Sequence, residues 1–129
     1  MTRDSQRVIA FYGVIANAER AKRTKDQMRY QLVVQIKPAS SEDLNRLVNW
    51  EEALIEHLAT SAGVDGHDLG AGEFNIFIFT DDPSGTFRRI QDLPATRAMS
   101  ASMVIAYRPV DGEDYVVLWP RDSTRFNIA

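Results

Sequence analysis

Hydrophobic and polar positions alternate most cleanly in "MRYQLVVQIK". Met28, Tyr30, Leu32, Val34 and Ile36 fall on one side, and Arg29, Gln31, Gln35 and Lys37 on the other. Val33 is the one apolar exception. A period of two with a β-branched centre predicts a half-buried strand. Pro38 ends it, and Ser40 stands three residues before Asp43, the spacing of a side chain that caps a helix. The period then changes. Leu44, Leu47, Val48, Leu54, Ile55 and Leu58 share one face of a predicted helix, and Gly63 is a natural stop. In "EFNIFIFT" the alternation returns, with Phe74, Ile76 and Ile78 opposite Glu73, Asn75, Phe77 and Phe79. A short helix follows, with Asp82 as N-cap, Pro83 at its first position, and Phe87 and Ile90 inward. Finally "SMVIAYRP" and "YVVLW" flank "VDGED", where Asp111-Gly112 marks a hairpin turn.

The predicted order is strand, helix, strand, helix, strand, strand. That order points to an α+β two-layer sandwich, a small mixed sheet with two helices on one face. The plan is ferredoxin-like in general terms but has its hairpin last rather than in the middle. If the first two strands are parallel in one sheet, the crossover between them is right-handed. Residues 28–120 form this single domain, and residues 121–129 read as an irregular tail. Residues 1–27 differ in character: an apolar stretch, "RVIAFYGVIANA", leads into the charged "ERAKRTKDQ". Ala16-Asn17-Ala18 has the shape of a signal cleavage site, but the apolar core is short and Asp4 lies in its leader. The reading adopted is a loosely attached N-terminal extension; the alternatives are an extra strand or helix packed on the domain and a true start at Met28, where the patterned sequence begins.

Composition narrows the chemistry. A chain of 129 residues with 44% hydrophobic and 26% charged residues suits one globular domain with its own core. The absence of cysteine removes disulfides and thiolate metal sites, and fits a cytoplasmic setting. Two histidines cannot make a three-histidine zinc site. A net charge of -3 argues against nucleic acid as the main partner, and no apolar run is long enough for a membrane span.

Candidate chemistry concentrates in "VDGHDLGAGEFNIFIFTDDP". As a calcium loop starting at Asp65, it has Gly70 correctly placed but Ile76 where a bidentate glutamate belongs. As a phosphate cradle its glycines run from helix to strand, the wrong direction. Asp81 and Asp82 lack the following strand-helix units of a receiver domain, and Pro83 occupies the place of a phosphatase's second aspartate. What remains is Asp65, His67, Asp68 and Glu73, which could hold zinc or manganese or act as an acid and base. Glycine-permitted turns explain the same residues. Glu51 is a second oddity, a carboxylate projecting from the apolar stripe of the long helix.

Together "ALIEHL" and "DGHDLGAGEFNIFIFTDDP" resemble a group of small, uncharacterised bacterial proteins with a strand-helix-strand core. The resemblance implies a bacterial cytoplasmic domain and assigns no functional residue. Three functions follow as expectations. The first is a non-enzymatic binding or inhibitor module for a protein partner, with Phe77, Phe79, Tyr107 and Trp119 as its surface. The alternative is a small metal-dependent hydrolase using the Asp65, His67, Asp68 and Glu73 cluster, with Glu51 as an extra acid. The third is a homodimer formed through an edge strand.

Overall fold

The computed structural model describes residues 27–99, 102–123, 125, 126 and 128. The expected N-terminal extension therefore lies outside the described residues, apart from Gln27. The elements run β1 (Tyr30–Ile36), α1 (Ser41–Leu58), β2 (Gly63–Gly70), β3 (Glu73–Thr80), α2 (Pro83–Asp92), α3 (Ala95–Met99), β4 (Val104–Pro109) and β5 (Val116–Trp119). The sheet order is β2-β3-β1-β4-β5.

Every pairing in that sheet is antiparallel, so the expected mixed sheet is corrected. The cause is an unread strand. Residues 63–70 form β2, which turns back through Ala71-Gly72 into β3, so β3 enters the sheet opposite to β1. A hairpin thus does occur in the middle of the chain, in addition to the terminal pair β4–β5. Ala71 and Gly72 both have positive φ, 53° and 77°, as the tightest hairpin turns require. The α1 helix ends at Leu58, before Gly63, with Ala59 at φ 50° and its N–H bonded to Ile55 O. The short helix α3 was not anticipated either.

The start of α1 follows the sequence. Ser40 Oγ accepts from Asp43 N at 3.2 Å, and Asp43 Oδ2 accepts from Ala39 N at 3.0 Å. The first bond satisfies an orphan donor of the first turn, and the second ties the residue before the cap back to that turn. At α2, Asp82 Oδ1 accepts from Gly85 N at 3.0 Å, with Pro83 behind it in the first turn. Asp81 accepts from Arg29 N at 3.0 Å and ties the end of β3 to the entry of β1.

Register divides the sheet residues into two sets. Leu32, Val34 and Ile36 align with Ile78, Ile76 and Phe74, and Val34 aligns with Ile105. These share one hydrophobic core with Leu47, Trp50, Leu54 and Leu58 of α1 and Ile90 of α2. Burial of that set is what drives the fold, because each large aliphatic side chain removed from water contributes about 1.5–3 kcal/mol. Polar groups inside are paired. Trp50 Nε1 donates to Thr96 Oγ1 at 3.2 Å, and Thr96 Oγ1 donates to Ile90 O at 2.6 Å, so one hydroxyl joins all three helices. The opposite set, Val33, Gln35, Asn75, Phe77, Phe79 and Ala106, points to the other face.

Candidate functional site

The site is created by a one-residue irregularity in β2. Val64 pairs with Ile78 and Gly66 with Phe77, so Asp65 is extra. Strict alternation from Val64 would send His67 to the face of Phe77. The extra residue inverts the parity, and His67 and Leu69 instead align with Ile76 and Phe74 on the core face. Gly66 makes this possible: its φ is +113°, which side-chain-bearing residues rarely adopt.

On that face His67 Nδ1 lies 2.7 Å from Glu51 Oε1 of α1. The carboxylate can only accept, so Nδ1 carries the proton and donates. The imidazole is also stacked on Phe74, with centroids 4.6 Å apart and planes at 28°. The Glu51 side chain is 8% exposed and that of His67 is 36% exposed. A buried carboxylate needs a partner, and the imidazole supplies it. Nε2 makes no hydrogen bond among the described residues.

The other acids lie across the sheet. Asp68 aligns with Asn75, and Asn75 with Gln35. Asn75 Nδ2 donates to Asp68 Oδ1 at 3.0 Å, while Gln35 Nε2 donates to Asn75 Oδ1 at 3.1 Å and Glu73 Oε1 at 3.2 Å. This is a polar ladder over three strands, with Gln35 and Asn75 buried. Each amide both spans strands and satisfies a neighbour, which is how polar side chains are accommodated away from water.

The four acids and the histidine of the sequence cluster therefore do not converge. Glu51 and His67 meet on the core face, Asp68 and Glu73 join the ladder on the other, and Asp65 is the exposed extra residue of β2. Among the described residues no three His, Asp or Glu side chains could hold a metal ion together. The proposed aromatic surface divides likewise. Phe77 and Phe79 align with Val33 and Gln31, whereas Tyr107 and Trp119 align with Leu32 and Ile105 and pack against the core.

Three features escaped sequence reasoning. Ile55, assigned to the buried stripe, is 47% exposed, and Leu69, assigned to a turn, is 51% exposed. They share a flank: Ile55 is one helical turn beyond Glu51, and Leu69 follows His67 on the same side of β2. Gln35 and Asn75 were the third, and their signal was present as polar residues at matched positions of two alternating strands. No family model matches this chain, and neither the curated proteins nor the solved structures contain a match to it.

Proposed function

We propose that this domain is a non-enzymatic protein-binding module that receives an extended segment of its partner along the outer edge of β2. One observation carries the reading: β2 is eight residues long and, among the described residues, stands last in the sheet and is bonded through β3 alone. Its outward N–H and C=O groups form a template on which another strand adds main-chain hydrogen bonds. Leu69 of the strand and Ile55 of the neighbouring helix supply exposed apolar anchors beside that template. The other sheet edge, β5, has only four residues and offers less.

The ferredoxin-like, two-layer plan belongs to the same reading. Its support is the run β2-β3-β1-β4, with α1 between β1 and β2 and two helices between β3 and β4. β5 is then an addition at the far side, and β2 is an edge by design of the topology. The hydrolase alternative has less support, because His67 and Glu51 lie on the face opposite Asp68 and Glu73.

Selection from a library of displayed random peptides, with the full chain as bait, tests the function. Enriched peptides should slow amide exchange in residues 63–70, and Leu69→Asp should abolish their capture. Peptides that protect another surface, or no enrichment, would remove the proposal. Sedimentation at two concentrations separates a foreign partner from a second copy of the chain on the same edge.

A further inference from the structure

The sheet has two faces, and the helices account for one of them. Side chains of α1 and α2 pack with Leu32, Val34, Ile76 and Ile78, and Thr96 of α3 bonds Trp50 of α1, so all three helices lie on that side. The opposite face is apolar at its centre. Val33 aligns with Phe77 and Ala106, Ala106 aligns with Val117, and Phe79 follows Phe77 on the same side. An antiparallel sheet face left to water carries polar side chains. This one carries few, and it is not exposed: Val33 and Ala106 are 0% exposed, and Phe77, Phe79 and Val117 are half-buried. Among the described residues no helix or strand lies over them.

Two segments of the chain are candidates for the cover. The tail after β5 is held at one margin, where the rings of Phe126 and Tyr115 meet at 4.7 Å and the Arg108 guanidinium stands 5.9 Å from the Tyr115 ring. Three strand spacings, about 14 Å, separate β5 from β3, so a tail held there leaves Phe77 and Phe79 to something else. Residues 1–26 enter differently. They join the described chain at Gln27, just ahead of β1, which is the middle strand of the sheet. Their apolar run, "VIAFYGVI" at 8–15, is separated from Gln27 by residues 16–26. That connection can span about 36 Å, against about 23 Å for the whole of β1, so the run can double back over any part of the face. Charge favours the contact too. Residues 1–26 hold six basic and three acidic residues, a net +3, which leaves nine basic and fifteen acidic residues, a net -6, for the rest of the chain.

We infer that the helix-free face of the sheet is the docking surface for this chain's own N-terminal segment, whose Phe11, Val14 and Ile15 pack on Val33, Phe77 and Phe79. The stretch read from sequence as a loosely attached extension is then a third layer of the domain. The same cover accounts for the burial of Gln35 and Asn75, whose amides pair with each other within the sheet but lie on this face. The inference stands apart from the edge-strand reading, because no residue of β2 takes part in it.

The chain has no cysteine, so a single introduced thiol is a unique probe. Ala106→Cys places one at the centre of the face with little change in size. In the full chain it should react slowly with a disulfide reagent. Adding Phe11→Asp and Ile15→Asp should speed the reaction about ten-fold, the factor that loss of one buried apolar side chain supplies. A fast reaction without those two substitutions, or an equally slow one with them, would overturn the inference. A second measurement leaves the apolar run intact. A nitroxide on Asn17→Cys, just past that run, should broaden the NMR signals of Phe77 and Phe79 more than those of Ile55 on the helical side. Equal broadening of both sets, or none, would show an undocked segment and overturn the inference. Broadening that appears only when nitroxide-bearing chains are mixed with isotope-labelled unmodified chains would assign the cover to a second copy, and would overturn it as well.

Discussion

β2 and β3 are each eight residues long and are paired along their length, yet they behave as opposites. Five residues of β3 are buried and none of β2 is. Position explains the difference. β3 has strands on both sides and packs its core face under α1, while β2 has β3 on one side and, among the described residues, no strand on the other. A strand with two neighbours is recruited for stability, and its sequence must be apolar. A strand with one neighbour is released from that demand, and its residues are available for recognition. The hairpin is thus one half foundation and one half surface.

The sharpest way to break this comparison is to remove equivalent side chains from the two strands. Ile76→Ala deletes a fully buried residue at the centre of the core, and should cost about 3 kcal/mol by urea denaturation. Leu69→Ala, on the exposed strand, should stay within about 0.5 kcal/mol. Equal losses at the two sites would mean that β2 is part of the core after all.

The hydrogen bond between the exposed strand and the helix comes next. In His67→Ala the buried Glu51 carboxylate loses its acceptor role, and an unpartnered buried acceptor costs about 2 kcal/mol. Glu51→Gln keeps an oxygen that accepts from Nδ1, so it should cost less than about 1 kcal/mol. The ordering is the test, read from denaturant midpoints of both variants. A larger loss in Glu51→Gln than in His67→Ala would show that the charge of Glu51, rather than its hydrogen bond, holds β2 to α1.

The same contrast governs what could be read in advance. β1 and β3 were legible because their apolar positions keep a strict period of two, and α1 because Ser40 and Asp43 cap a run at helical spacing. β2 was illegible for a physical reason. Its "GVDGHDLG" has three glycines and two aspartates, the residues of turns, because an exposed edge needs little apolar surface. Missing β2 then propagated: the sheet was read as mixed, and the central hairpin was lost. Glu51 was rightly singled out as a carboxylate in need of a partner. Its partner, His67, was placed instead with Asp65, Asp68 and Glu73, because proximity along the chain stood in for facing. Tyr107 and Trp119 were separated from Phe77 and Phe79 by register, which one sequence does not display.

Facing in β2 depends on Gly66, and the smallest expected effect isolates it. A Cβ at Gly66 would meet no atom within 4 Å, so Gly66→Ala introduces no clash. What it introduces is a side chain at φ +113°, a strain of about 1 kcal/mol where the surroundings hold the backbone in place. Two outcomes are distinguishable by NMR of the His67 ring, whose signals carry the shift imposed by stacking on Phe74. If the strand keeps its register, the ring signals stay and the denaturation midpoint falls slightly. That is the outcome expected, because the pairings of His67, Asp68 and Leu69 with β3 all support the observed alignment. If the strain instead expels the extra residue, β2 regains strict alternation, His67 leaves Phe74 and Glu51, and its ring signals move to those of a solvated imidazole. Such a slip would mean that the edge strand's register is set by one glycine, and that the partner-facing surface can be inverted without touching the core.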